Sequence, residues 1–286
     1  MSVTRELKAV FFSFALLFQH SARAQTTKGP LKILRPVISQ SEDGTPIQSG
    51  ETFLPGEQLF FSCQVENYRI GDNGKVQLTA HAQAFDLRGT PIAPKDEQVI
   101  GTSVGEEDKS WKPKFRFQIQ IPSIAPPGTY RIKFDVSDRQ NQQVAWGEAA
   151  FSVGGRGVDP SPALVIRNLG FYRTQDESAA LKIPAYRAGD LLWVRFDITG
   201  YKYGEQNSID VAYDVAVSRS NGERLFSQED AAVERSQAFY PQPWIPAEFN
   251  LTLQSIMSTG TYTLSITARD GTGHQTDTAR AAFRVE

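Results

Sequence analysis

Residues 114–121 read KFRFQIQI, and residues 128–136 read GTYRIKFDV. In the first stretch Phe115, Phe117, Ile119 and Ile121 alternate with Lys114, Arg116, Gln118 and Gln120. In the second, Tyr130, Ile132, Phe134 and Val136 alternate with Arg131, Lys133 and Asp135. Successive side chains of a β-strand point to opposite faces, so this alternation marks strands with one buried and one wet face. Gln58 to Glu66 is written the same way, with Leu59, Phe61, Cys63 and Val65 as the apolar set. Beyond the N-terminal region no segment sustains a helical apolar period. Turn residues separate the runs: Pro55-Gly56, Asp72-Asn73-Gly74, Arg88-Gly89, Pro126-Pro127-Gly128, Asn221-Gly222 and Gly271-Thr272-Gly273.

The same text appears twice. Phe53-Leu54-Pro55-Gly56-Glu57 returns as Tyr186-Arg187-Ala188-Gly189-Asp190, and Tyr68-Arg69-Ile70-Gly71 as Tyr201-Lys202-Tyr203-Gly204. Leu59, Phe61, Cys63 and Val65 return as Leu192, Val194, Phe196 and Ile198. Trp111-Lys112-Pro113 returns as Trp244-Ile245-Pro246, after which one residue is lost. Gly128-Thr129-Tyr130 then returns as Gly260-Thr261-Tyr262, Asp138 as Asp270, and Phe151 and Val153 as Phe283 and Val285. Ordered matches with a single gap mean two copies of one domain. About seven short strands in roughly 120 residues imply an all-β fold of two tandem immunoglobulin-like antiparallel β-sandwiches. The expected organisation is a signal peptide at 1–24, a first sandwich at 25–153, a linker at 154–163 and a second sandwich at 164–286. The linker, Gly154-Gly155-Arg156-Gly157-Val158-Asp159-Pro160-Ser161-Pro162, combines free glycines with a proline-stiffened end.

The Gly-Thr-Tyr starts at Gly128 and Gly260 resemble the start of the penultimate strand in immunoglobulin-like and fibronectin type III domains. The order Pro-Gly-Glu, alternating strand, Gly-Thr-Tyr, Asp138 and a closing Phe-x-Val is also similar to bacterial Ig-like modules and macroglobulin-type domains. The resemblance spans residues 31–286. It implies a sandwich in which the strand-start Tyr bonds back to a neighbouring corner. It implies no function.

Composition narrows the functional classes. The chain has 286 residues, 40% apolar and 22% charged, with a net charge of −2. That balance excludes a disordered chain and speaks against nucleic acid as a partner. With one Cys, no intrachain disulfide and no multi-Cys metal site can form. Cys63 has Phe196 as its counterpart, so it reads as a packing position with an inert thiol.

The N-terminus reads as an export signal. Arg5 and Lys8 precede the apolar stretch AVFFSFALLF from Ala9 to Phe18, and Ala22-Arg23-Ala24 supplies a small-x-small cleavage site before Gln25. As a helix the apolar stretch is about 15 Å long, half of a ~30 Å hydrocarbon core. The expectation is an exported protein, periplasmic or extracellular, with no permanent membrane anchor.

Catalytic chemistry is sparsely supplied. No nucleophile elbow, phosphate-binding loop or zinc-protease motif occurs. His81 is expected on a solvent-facing strand position and His274 in a turn, in different copies. Glu106-Glu107-Asp108 reads as a solvated acidic run. Lys114, Arg116, Arg131 and Lys133 would make one basic face if their strands pair, read as a wet sheet surface or as a site for an acidic partner. The expectation is no enzyme, no catalytic residue, no metal and no cofactor. Aromatic residues in excess of the inward pattern are the better lead. Phe60 and Trp193 share one outward position, and Tyr240-Pro241-Gln242-Pro243-Trp244-Ile245-Pro246 forms a rigid aromatic loop. Trp193, Tyr203, Tyr240 and Trp244 are therefore the expected ligand-binding residues. The leading reading is a non-catalytic binding or structural module for a protein or glycan of the cell envelope or beyond it. The alternatives are a periplasmic assembly chaperone and a hydrolase with a carboxylate pair.

Overall fold

The computed structural model describes residues 29–108 and 110–286; the expected export signal lies outside the described residues. The first copy contributes β1 (Lys32–Ser39), β2 (Gln58–Glu66), β3 (Lys75–Phe85), β4 (Asp96–Ser103), β5 (Lys114–Gln120), β6 (Gly128–Asp138) and β7 (Gln143–Val153). The second contributes β8 (Val165–Tyr172), β9 (Ala185–Tyr186), β10 (Leu191–Thr199), β11 (Ile209–Arg219), β12 (Arg224–Ser236), β13 (Trp244–Thr252), β14 (Gly260–Asp270) and β15 (Gln275–Val285). The first copy forms sheets β1-β2-β5 and β4-β3-β6-β7. The second forms β13-β10-β8 and β12-β11-β14-β15-β9. Strand pairing is antiparallel except where β9 joins β15, and where Phe53 bridges Val153 in the first copy. Among the described residues no helix is long and apolar enough to cross a membrane.

The alternating residues behave as a two-faced strand requires. Leu59, Phe61, Cys63 and Val65 on β2 and Phe115, Phe117 and Ile119 on β5 are buried, while the intervening side chains are not. Burial of Cys63 pushes its thiol up to about 12. Desolvation penalises the thiolate, so the group stays protonated and inert.

The repeat extends to hydrogen bonds. The Tyr130 hydroxyl donates to the Pro126 carbonyl at 2.7 Å, and the Tyr262 hydroxyl to the Ser258 carbonyl at 2.6 Å. These are the tyrosine corners that the Gly-Thr-Tyr resemblance implied. Buried Asp138 accepts the Arg69 and Gln140 amides, and buried Asp270 accepts the Lys202, Thr272 and Gly273 amides. Each Asp thus ties the Tyr-containing loop before β3 or β11 to a hairpin turn. In the Pro-Gly-Glu turn Gly56 has φ 86° and Glu57 closes back on the Leu54 amide. Gly189 (φ 93°) and Asp190 repeat this on the Arg187 amide.

Four expectations need correction or refinement. β5 and β6 lie in different sheets, so the basic residues do not share a face. Lys114 and Arg116 are neutralised by Asp43, Arg131 approaches Glu148 at 3.4 Å, and Lys133 lies over the Phe85 ring. His81 is half-buried; its ring nitrogens sit 2.9 Å from Asp135 and 2.9 Å from Glu97 across neighbouring strands. The two tryptophan motifs slip by one residue. Gln64 pairs with Lys114 as Asp197 pairs with Pro246, which leaves Trp244 opposite Thr199 in the place of Lys112. The missing residue therefore falls before this motif. Finally, the linker is held in place through Arg156 and the Pro162 carbonyl.

Candidate binding cleft between the sandwiches

The second sandwich reaches the first through the connection between β12 and β13. Pro241 and Pro243 fix φ there and narrow the conformations the connection can adopt. Tyr240 from this connection is 7% exposed and packs with the core of the first sandwich. Its hydroxyl donates to Asp86 Oδ2 at 3.1 Å. Asp86 follows β3, is itself buried, and accepts the Arg88 and Thr90 amides at 2.9 and 2.8 Å. Burial, reinforced by Tyr130 and Asp86, pushes the Tyr240 hydroxyl well above the ordinary tyrosine range. The proton stays on the phenol and the bond persists.

The linker adds a second tie. Arg156 binds Asp197 on β10 through both terminal nitrogens, at 2.5 and 2.8 Å, and Asn168 adds a bond of 2.8 Å. Asp197 is 2% exposed although it sits on the outward side of its strand. A buried carboxylate needs such partners, and the bidentate fork of arginine suits it. Lys202 Nζ holds the Pro162 carbonyl at 3.1 Å. The glycine-rich stretch is thus pinned to the second sandwich.

Beside Tyr240 these ties frame a cleft of about 460 Å³. The Asp86–Thr90 turn and Pro126-Pro127 line it from the first sandwich, residues 157–161 from the linker, and Tyr201, Tyr203, Tyr240 and Trp244 from the second. The Tyr201 and Tyr203 hydroxyls both donate to the Gln242 carbonyl, at 2.5 and 2.6 Å, with their rings edge to face at 5.6 Å. Tyr203 remains 40% exposed, so its ring is both fixed and available. Arg88 and Asp159 are exposed at the rim, and neither side chain has a hydrogen bond or ion pair among the described residues. Trp244 is 4% exposed, and its Nε1 lacks a protein partner. A buried donor in that state is uncommon.

Three of the four expected aromatics therefore meet here, in roles that differ from the expectation. Tyr203 presents a surface. Tyr240 is an anchor between domains, and Trp244 is wall, so neither offers the exposed ring that was expected. Trp193 lies elsewhere. It is half-buried on β10 opposite Tyr172, on a sheet face crossed by residues 173–184. Leu181 bonds to Phe171, and Arg195 reaches the Glu177 carbonyl at 2.7 Å. Phe60 is likewise half-buried, beside Glu42 and Asp43 of the corresponding loop. Asp86, Arg88, Arg156 and Asp159 were not anticipated. One signal was present: Asp86 stands where the second copy has Arg219, and Asp197 where the first has Gln64. Among the described residues no group of three or more His, Cys, Asp or Glu is placed to hold a metal.

No family model matches the chain, and no curated protein does. Among solved structures, it is similar to the C-terminal domain of the Streptococcus pyogenes antigen I/II-family protein AspA. The TM-score is 0.31 at 9% identity, covering 88% of this chain and 99% of that one.

Proposed function

We propose that this chain is an exported, non-catalytic binding module. Its two immunoglobulin-like sandwiches act as one unit and meet a protein or glycan partner at the cleft between them. The observation that carries this reading is the pairing of a fixed, accessible Tyr203 ring with the unengaged Arg88 and Asp159 at the mouth of a concave, proline-rich wall. Binding sites are typically concave and apolar with a few placed polar groups. A wall ordered beforehand lowers the entropy lost on association. A hydrolytic reading has less support, because Asp86 already accepts two amides and a phenol. Those bonds occupy its acceptor oxygens and leave it poorly placed to act on a bound substrate.

The test is a screen of wild-type protein against an oligosaccharide array and a panel of purified envelope proteins. It is repeated with Tyr203→Ala and Arg88→Glu. For any ligand captured, each variant is expected to weaken binding by about tenfold or more, near 1.4 kcal/mol, with unchanged thermal stability in Arg88→Glu and a single cooperative unfolding transition retained in Tyr203→Ala. A ligand held equally by both variants would place the site elsewhere.

A further inference from the structure

Strand β7 is the outermost full strand of its sheet. Phe53 donates to the Ser152 carbonyl at 2.9 Å and accepts from the Gly154 amide at 2.8 Å. Backbone groups alternate in direction along an antiparallel strand. The even-numbered residues of β7 therefore aim their N–H and C=O away from β6. From Val144 to Ala150, among the described residues, no strand takes up these groups. The side chains on the same positions face outward from the sandwich. Trp146 is 82% exposed and Val144 60% exposed. Natural sheets usually blunt such an edge with charge, proline or a covering loop. The second copy shows that the fold does not demand this exposure: β15 carries Thr276, Thr278 and Arg280 at the corresponding places.

We infer that the Val144–Ala150 edge of β7 is a docking strand for the same edge of a second copy of this chain. The edge is self-complementary about Trp146. In a two-fold antiparallel register, Trp146 lies opposite the partner's Trp146, and Val144 opposite the partner's Glu148. Each of these positions has its backbone groups turned outward, so the pairs can exchange their bonds in full. No like charges face each other, and Glu148 is already balanced by Arg131. Aromatic pairs across strands add to the stability of such a junction. The opposite edge of the sheet, β4, is a poorer match. It begins with Asp96 and Glu97, of which Glu97 lies on the face that carries Glu148, and a β7-to-β4 junction would not close. The contact area centres on two indoles of about 200 Å² each, well short of the roughly 800 Å² per partner of a stable complex. The dimer is therefore weak, with half-association between about 10 µM and 1 mM.

Sedimentation velocity over about 5 µM to 1 mM tests this. Wild type is expected to shift from monomer to dimer. Trp146→Lys should raise the dissociation constant at least about tenfold, and Thr278→Lys at the equivalent place of the second copy should leave it unchanged. Both variants alter surface positions, so their melting temperatures should match wild type. A wild-type protein that stays monomeric throughout, or a dimer that persists in Trp146→Lys, would overturn the inference. So would a dimer abolished equally by Thr278→Lys.

Discussion

Tyr240 of the second sandwich donates a hydrogen bond to Asp86 of the first, 3.1 Å away, inside the first sandwich's core. The two domains thus share a buried polar contact. Tyr240→Phe removes the donor but leaves Asp86 its two amides, for a cost of about 0.5–1.5 kcal/mol. Tyr240→Ala also empties the ring's space, raising the cost to about 3–5 kcal/mol. Calorimetry is expected to show one transition in wild type and two in Tyr240→Ala. A single unshifted transition in both variants would contradict the anchoring role.

The tyrosine corners offer a paired test. Tyr130→Phe and Tyr262→Phe each delete one bond to a carbonyl four residues earlier. Each should cost about 0.5–1.5 kcal/mol in urea unfolding. The corners sit in different sandwiches, so the double variant should be additive within about 0.5 kcal/mol. Tyr130 is also close to Tyr240, and a larger loss at Tyr130 than at Tyr262 would report that neighbour.

Strand β14 discriminates inward from outward positions. Leu264 is fully buried and Thr263 half-buried on the opposite face. Leu264→Ala should destabilise by about 2–5 kcal/mol. Thr263→Ala should stay within roughly 0.5 kcal/mol. Equal effects would reject the alternation.

Alkaline pH should destabilise the fold. Burial raises Cys63 from 9.0, and Tyr130 and Tyr186 from 10.0, each to about 12. A raised folded pKa favours the protonated form in the native state. The stabilisation is complete below the unfolded pKa and is lost as pH climbs through the folded value. Urea midpoints are expected to hold to about pH 9 and then fall progressively towards pH 12. Midpoints flat to about pH 11 would show that these groups are not desolvated as described.

The strands were legible because alternation is a local signal. KFRFQIQI has one way to bury Phe115, Phe117 and Ile119, and it did so. The repeat added the Tyr130 and Tyr262 corners for the same reason: both bonds span four residues. What joins the copies was not legible. Tyr240, Asp86, Arg156 and Asp197 lie far apart in sequence, and each looks like an ordinary surface residue in its own strand or loop. Tyr240 reads as exposed until the first sandwich is placed beside it. Likewise, Lys114 and Arg131 read as neighbours until their strands enter different sheets. The clue to the contact was where the copies disagree: Asp197, in the place of Gln64, takes its arginine from the linker, outside the repeated domain.

Tyr240 and the pinned linker hold the two sandwiches, and hence the cleft, in one arrangement. Spin labels at Thr102→Cys on β4 and Arg280→Cys on β15, both exposed, would report it through pulsed dipolar distance measurement. Cys63 is buried and stays unlabelled. A single narrow distance is expected in the otherwise wild-type protein, broadening when Tyr240→Ala is added. A broad distribution before that substitution, or a narrow one that survives it, would contradict the claim.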